Sequence, residues 1–467
     1  FDQLIGFRED RVEAIAEQAV RMGAYRCAAD YLLGHRIDDA MEYELADEFT
    51  ALQQQRADTA SAVSPRYPHF DDVSEELQWQ LERSMEAMLA AFIGRMSSLV
   101  RRMRYSEEDA LYQAQQSAVY QTTQAEPARR DTEALFAWVT VLYTGRADAA
   151  LRFWGHGEPD DRLAVFVRWG ADCREQGMVR AYFGMLAALA SGAQASVCAH
   201  EFMSGGGAGG HRQTVNQAPL CSWQALFGAL DFYAGHLRPG EPDPLAAPPP
   251  EIPDAEVALL RAFLRLCRSV VQHSVVARTA IYDSTELGAM TTMFALLACV
   301  VPVALKAALL DTVAAFGALD NDLLANSGAQ ADSVRRAVDE MARRIWAQLE
   351  QSQMLPTAGD GARALAVGRG SSGARGGIAY ELEEVEAAAE TYPETRAFVR
   401  LVAALIHVPA DAVGVTAEAA SAASASASVP ADLGSAYRVP GVGPYVSFVL
   451  DSVLLKAEQR AYRVPDE

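Results

Sequence analysis

Apolar positions recur at helical spacing along almost the whole chain, and the alternating pattern that would mark strands is sparse. The clearest stripe is Leu77, Leu81, Met85, Met88, Phe92, Leu99 and Met103. Its intervals of three, four and seven predict one long helix of about 30 residues behind Ser74 as N-cap. Shorter stripes follow at Val257, Leu260, Leu264, Cys267 and Val271, at Leu305, Leu309, Thr312 and Phe316, and at Val334, Val338, Met341, Ile345 and Leu349. Between 254 and 353 they predict neighbouring helix pairs, the pattern of two-helix repeats of roughly 40 to 47 residues, without a repeated sequence motif.

Polar or proline-rich breaks separate the stripes at 53–72, 204–211, 239–253, 358–377 and 409–434. The stretch EPDPLAAPPPEIPD is the best boundary, because its prolines remove backbone donors and favour extended chain. The expected organisation is a helical segment 1–239, a proline-rich loop 240–253 and a helical segment 254–467. Both helical segments are expected to belong to one continuous superhelix. The fold class expected is all-α, a right-handed solenoid of HEAT/ARM-like helix pairs with long surface loops, each repeat burying its apolar face against its neighbours.

Residues 377–405, GIAYELEEVEAAAETYPETRAFVRLVAAL, read as two helices meeting at a proline corner. Leu382, Val385, Ala388 and Ala389 predict one apolar face. Glu381, Glu383, Glu384 and Glu386 place negative charge in the first turns, where the helix dipole favours it, and read as a solvated face. Pro393 biases Tyr392 out of the α region, and Phe398, Leu401, Val402 and Leu405 begin a new amphipathic helix.

This corner resembles the matching segment of the large inner-ring adaptor nucleoporins, α-solenoid scaffold proteins of the nuclear pore complex. The likeness rests here on Glu383, Glu384, Pro393, Arg396 and Phe398. Upstream it continues through PVALKAALLDTVAAFG, with Pro302, Lys306 and Phe316, and IWAQLEQSQMLPT, with Trp346. Downstream it takes in Leu433 to Ala436, Arg438 and Pro440, then Pro444, Tyr445, Phe448 and Tyr462. SWQALFGALDFYAGHL, with Trp223, matches more loosely, and the resemblance is to the larger of two related adaptor subfamilies. The run 417–429 and the glycine-rich 368–377 depart from the family and read as expanded surface loops. The resemblance also implies that the chain is the N-terminal part of a longer protein.

Composition narrows the function. A formal net charge of −21 is a poor match to a polyanion, so no direct nucleic-acid binding is expected. Arg101, Arg102 and Arg104 follow the long stripe and read as cations at a helix C-terminus, with a phosphate site as the alternative. Six scattered cysteines without a C-x-x-C pair read as buried reduced thiols. The window 290–310 reaches the roughly 20 residues a membrane span needs, but Pro302 and Lys306 interrupt it. Two buried helices hinged before Pro302 are expected, and no transmembrane span.

No motif carries chemistry. SGGGAGG and GRGSSGARGG lack the G-K-[S/T] ending of a phosphate loop, no G-x-S-x-G is present, and the eight histidines show no metal-ligand spacing. His236 and His273 sit in helical patterns, where a hydrogen-bonded structural role is expected. No catalytic, cofactor or metal residues are assigned, and an enzyme is not expected. The resemblance implies a scaffold at the nuclear envelope. Its implied partners are the coiled-coil-bearing inner-ring scaffold nucleoporin, and linker and FG nucleoporins held through short motifs. The alternative is a HEAT-repeat transport receptor or other cargo adaptor, against which stands the lack of a repeating Asp and Arg ladder.

Overall fold

The computed structural model describes residues 9–36, 75–95, 97–119, 130–155, 162–205, 221–237, 252–320, 324, 328–355, 377–407, 428–436 and 438–457. Every regular element among them is helical, so the all-α, helix-pair architecture expected from the sequence is the one observed. The chain divides into two compact units, Phe1–Ala199 and His200–Glu467. Most of the stretch 240–253 lies outside the described residues, as do most of the glycine-rich and low-complexity runs.

The first unit contains α1 (Glu9–Arg21), α2 (Ala24–Arg36), α3 (Glu75–Arg95), α4 (Ser97–Val119), α5 (Asp131–Tyr143), α6 (Ala147–Phe153), α7 (Arg162–Gly170) and α8 (Gln176–Leu189). Helix α5 is its centre. From Thr132 to Tyr143 every residue is buried, because α2, α3, α4 and α8 all pack against it. A helix apolar all round is one that sits inside a core. Phe136 carries the packing onward, its ring 5.7 Å from Tyr182 and 5.9 Å from Phe166, while the Tyr182 hydroxyl donates to the Val167 carbonyl at 2.8 Å.

Two expectations about α3 and α4 are corrected. Leu77 and Met88 of the long stripe are 48% and 55% exposed, and the buried face runs instead through Glu82, Glu86, Leu89 and Ile93. The carboxylates can turn inward because Arg146 pairs with Glu82 and Glu86, and Arg152 donates to Glu86 at 2.9 Å. The cations Arg101, Arg102 and Arg104 do not end a helix, since α4 runs on to Val119. Arg104 turns inward, donates to the Trp169 carbonyl at 3.0 Å and lies 4.9 Å over the Trp169 ring.

Glu107 of α4 is also buried. Its Oε2 accepts the Thr132 N–H at the start of α5 at 2.8 Å, and its Oε1 has no hydrogen-bond partner among the described residues. Burial outweighs the Thr132 bonds and, helped by Glu133 and Asp131, raises the carboxyl from 4.5 to about 8. The folded chain therefore keeps this proton over a range in which the unfolded chain has released it. The stabilisation is full below about 4.5 and falls as pH rises toward about 8. Glu107→Gln keeps an acceptor and cannot ionise. It is expected to raise stability at alkaline pH by about 1 to 3 kcal/mol and to flatten the fall. Urea midpoints measured at mildly acidic and mildly alkaline pH check this, and parallel profiles for the two proteins would show that Glu107 does not titrate.

The second unit contains α9 (Trp223–His236), α10 (Asp254–His273), α11 (Val275–Asp283), α12 (Ala289–Leu297), α13 (Val303–Gly317) and α14 (Ala331–Ser352). Next comes α15, a continuous helix made of Gly377–Tyr380, a π-helical turn Glu381–Glu386 and Ala387–Ala389. It is followed by α16 (Pro393–Leu405) and α17, in which Gly443–Ser447 leads into the π-helical Phe448–Leu454. Ser222 and Ser274 cap α9 and α11, their hydroxyls accepting the Ala225 and Ala277 N–H groups at 3.2 Å. The apolar window 290–310 is two helices, as expected, with Pro302 as the N-cap of α13. Among the described residues no helix is long and apolar enough to cross a membrane.

Helix α13 is the axis of this unit, packed by α10, α14 and α16. Leu305, Leu309, Thr312 and Phe316 are fully buried, and so are Leu264, Cys267 and Val271 on α10. Gly317 ends α13 where a Cβ would lie 2.4 Å from Leu405 Cδ2, so a side chain here would displace the Leu405 methyl of α16. His236 and His273 end α9 and α10, and the His236 Nδ1 lies 2.8 Å from the Phe232 carbonyl.

Candidate functional site

The residues that carry the family resemblance come together in the second unit as one packed junction. The stripe on α14 buries Val338, Met341, Ile345 and Leu349, and it aims Trp346, with no exposed surface, at α17. Tyr445 meets the Trp346 indole edge-on at 5.0 Å and lies 6.3 Å from Phe398 of α16, which meets Phe448 edge-on at 5.7 Å. Four aromatic residues from three helices thus form one chain of rings, at separations where aromatic pairs are favourable.

A polar cluster ties the same helices. Glu350, buried beside Trp346, accepts the Tyr445 hydroxyl at 3.1 Å and pairs with Arg438, whose Nη1 donates to the Val439 and Gly441 carbonyls at 2.8 Å. Gly434 makes room for Arg438. It has φ +79, and a Cβ there would sit 2.4 Å from the guanidinium carbon. Lys306 of α13 donates to Glu381 Oε1 at 2.6 Å, while Asp311, one face further along, takes Arg400 at 3.0 Å. His407, just after α16, has its Nδ1 2.6 Å from Asp339 Oδ1 and its Nε2 2.7 Å from the Gly317 carbonyl.

The proline corner is held differently from the expectation. Of the face predicted on α15 only Leu382 is buried. Val385, Ala388 and Ala389 are exposed, and the inward positions are Ile378, Leu382 and Glu386 at intervals of four. Glu386 is therefore not part of a solvated face. Its carboxylate, fully buried, accepts the Glu394 N–H at 2.6 Å and the Thr395 N–H and hydroxyl, capping α16 from the preceding helix. Pro393 opens α16 and Tyr392 sits outside the α region at φ −122, ψ 50, as expected. Burial, against the pull of Lys306, raises the neighbouring Glu394 carboxyl from 4.5 to about 7.

Glu386→Ala is expected to cost about 1 to 3 kcal/mol, since buried N–H donors lose their acceptor. Pro393→Ala should cost less than about 1 kcal/mol, because the proline fixes φ without supplying a bond. Denaturation midpoints of the two variants check the order, and a reversed order would overturn the capping role.

The remaining residues read from the sequence lie elsewhere. Trp223 is buried on α9, its indole N–H 3.2 Å from His200 Nδ1. Pro302, Glu384 and Arg396 are exposed, and Glu383 is half-buried with Lys456 Nζ at 3.9 Å. Tyr462 lies outside the described residues. Sequence reasoning missed Arg278, Asp311, Arg400 and His407 altogether. For Arg278 and Asp311 the available hint is a charge flanked by apolar residues within a mainly apolar helix. The side chains of the junction are spent on linking helices to one another. Among the described residues no group of three or more His, Cys, Asp or Glu could hold a metal ion.

Comparison with known proteins agrees with this structural character. The family model described as nuclear pore complex scaffold, nucleoporins 186/192/205, matches residues 6–467. The chain is similar to nuclear pore complex protein Nup205 of Homo sapiens, 27% identical over 82% of this chain and 18% of that protein. It is also similar to nucleoporin NUP192 of Chaetomium thermophilum, 25% identical over 93% and 23%, and to Nup205 of Drosophila melanogaster, 26% identical over 68% and 14%. The chain thus spans at most 23% of the length of these relatives. With the match reaching from residue 6 to residue 467, this chain belongs to the nuclear pore complex scaffold family of nucleoporins 186/192/205.

Proposed function

We propose that the chain is a stretch of a structural scaffold nucleoporin of the inner ring, located at the nuclear envelope, and that it supports pore assembly and nucleocytoplasmic transport without catalysing a reaction. The observation that carries the reading is the family match over residues 6–467. The junction adds to it, since Trp346, Glu350, Phe398, Tyr445 and Phe448, all within the resembling segment, are buried and bonded to one another. Residues spent on internal rigidity suit a protein that holds others in place. The partners proposed are the coiled-coil-bearing scaffold nucleoporin of the inner ring, and linker and FG nucleoporins captured through short segments in grooves between helices. A transport receptor is not favoured, because the family matched is a scaffold family.

The test is to tag the full-length protein at its own locus, image it and identify what co-purifies. A punctate nuclear rim with other pore components in the eluate supports the scaffold. Diffuse staining with shuttling cargo would move the reading to a transport receptor. Nucleotide or metal binding by the purified protein would reopen the question of an enzyme.

A further inference from the structure

We propose that the corner between α15 and α16 is a proton-gated hinge, closed while the Glu394 carboxyl carries its proton and loosened when that proton leaves. The first turn of α16 offers few N–H groups to an anion. Pro393 has none, and the Arg396 N–H donates to the Tyr392 carbonyl at 3.0 Å. The Glu394 and Thr395 N–H groups remain, and both donate to the Glu386 carboxylate of α15. A helix N-terminus stabilises an anion through such N–H groups, so Glu386 already fills the place where a second carboxylate would be held.

Glu394 sits in that same turn and is 1% exposed, with its Oε2 lacking a hydrogen-bond partner among the described residues. The charged groups that face it are Lys306 of α13 and Glu381 and Glu386 of α15. Lys306 is committed to Glu381 at 2.6 Å. On α16 itself Arg396 is exposed, and Arg400 is turned to Asp311, which Arg268 of α10 also approaches at 3.8 Å. One ammonium group thus faces three carboxyls, and the proton on Glu394 keeps the cluster from carrying a third negative charge. Burial, opposed by Lys306 and aided by Glu381 and Glu386, places the loss of that proton at about 7. Once ionised, Glu394 has to reach water or displace Glu386 from the two N–H groups, and either move releases the cap that ties α15 to α16. The backbone of the corner adds strain, since Glu390 ends α15 at φ 54, a left-handed conformation that a side chain resists.

The folded chain keeps this proton above the unfolded value of 4.5, so the corner is held fully below that value and weakens as pH rises through about 7. Hydrogen–deuterium exchange of the full-length protein at about pH 6 and about pH 8, corrected for the intrinsic exchange rate, tests the hinge. Protection of residues 386–397 should fall about tenfold over that range in the wild type and stay constant in Glu394→Gln, which cannot ionise. Equal protection at both pH values in the wild type, or an equal fall in Glu394→Gln, overturns the proposal. A parallel fall in residues 257–271 of α10 also overturns it, in favour of loosening of the whole unit. Circular dichroism shows whether the variant is folded, and Glu394→Met, which cannot ionise either, serves where Gln is not accommodated. Failure of both variants to fold overturns the hinge, because the carboxyl would then be an essential core contact and not a gate. The hinge rests on the geometry of the corner and not on the scaffold reading, which localisation tests separately.

Discussion

Trp346→Ala is expected to destabilise the second unit by about 3 to 5 kcal/mol, the range for truncating a large buried ring to alanine. The indole has no exposed surface and packs against the Tyr445 ring at 5.0 Å in an edge-to-face arrangement. Its Nε1 is buried without an acceptor among the described residues, so the ring stabilises through apolar area and shape. This gives the experiment an internal control. Trp346→Phe keeps most of the packing and removes a buried donor that has no acceptor, and it should cost no more than about 2 kcal/mol. Thermal and urea unfolding of the three proteins measures both steps. An unchanged midpoint for Trp346→Ala would show that the ring is not a core contact. A Phe variant as unstable as the Ala variant would show that the indole N–H matters more than the packing.

Arg278→Met should produce a loss of similar size, about 3 to 5 kcal/mol, by a different mechanism. Arg278 projects from α11 into full burial and donates Nε to the Val271 carbonyl at 2.8 Å and Nη1 to the Ala318 carbonyl at 2.7 Å. It thus bridges the C-terminal ends of α10 and α13, where unpaired carbonyls gather and the helix dipoles favour a cation. Burial lowers its pKa to about 10, with Asp320 pulling the other way, so the group stays charged at neutral pH. Methionine fills much of the volume and leaves the carbonyls without donors. Lysine keeps the charge but cannot reach two sets of carbonyls with one planar fork, so Arg278→Lys should fall between the two. Midpoint measurements rank the three. Equal stability of the Met variant would mean that water satisfies the carbonyls instead.

Much of the second unit was legible from local spacing. The stripes on α10, α14 and α16 needed only the rule that residues three and four apart share a face, and Pro393 marked the turn between helices by its effect on Tyr392. The aromatic residues of the junction were picked out by resemblance, but that Trp346, Tyr445, Phe398 and Phe448 touch one another was not, because about 100 residues separate the first from the last. The charged half of the site was read least well. Glu386 looked like one more solvated carboxylate in an acidic run, and its burial depends on two N–H groups that α16 presents eight and nine residues later.

The same limit explains the errors in the first unit. Leu77 and Met88 obeyed the helical period yet stand in solvent, while Glu82 and Glu86 turn inward to arginines about 60 residues away. Helix α5 gave no stripe because a helix surrounded on every side has no polar face to alternate with. The order of residues was thus enough to establish the helical class, the proline corner and the family, since each rests on neighbours within a few positions or on motifs kept together in the chain. Which carboxylates are buried, which arginine bridges two helix ends and which rings meet were decided by folding. A buried charge or a buried carbonyl is tolerable only where a distant part of the chain delivers its partner, and three-dimensional packing is what brings that partner within reach.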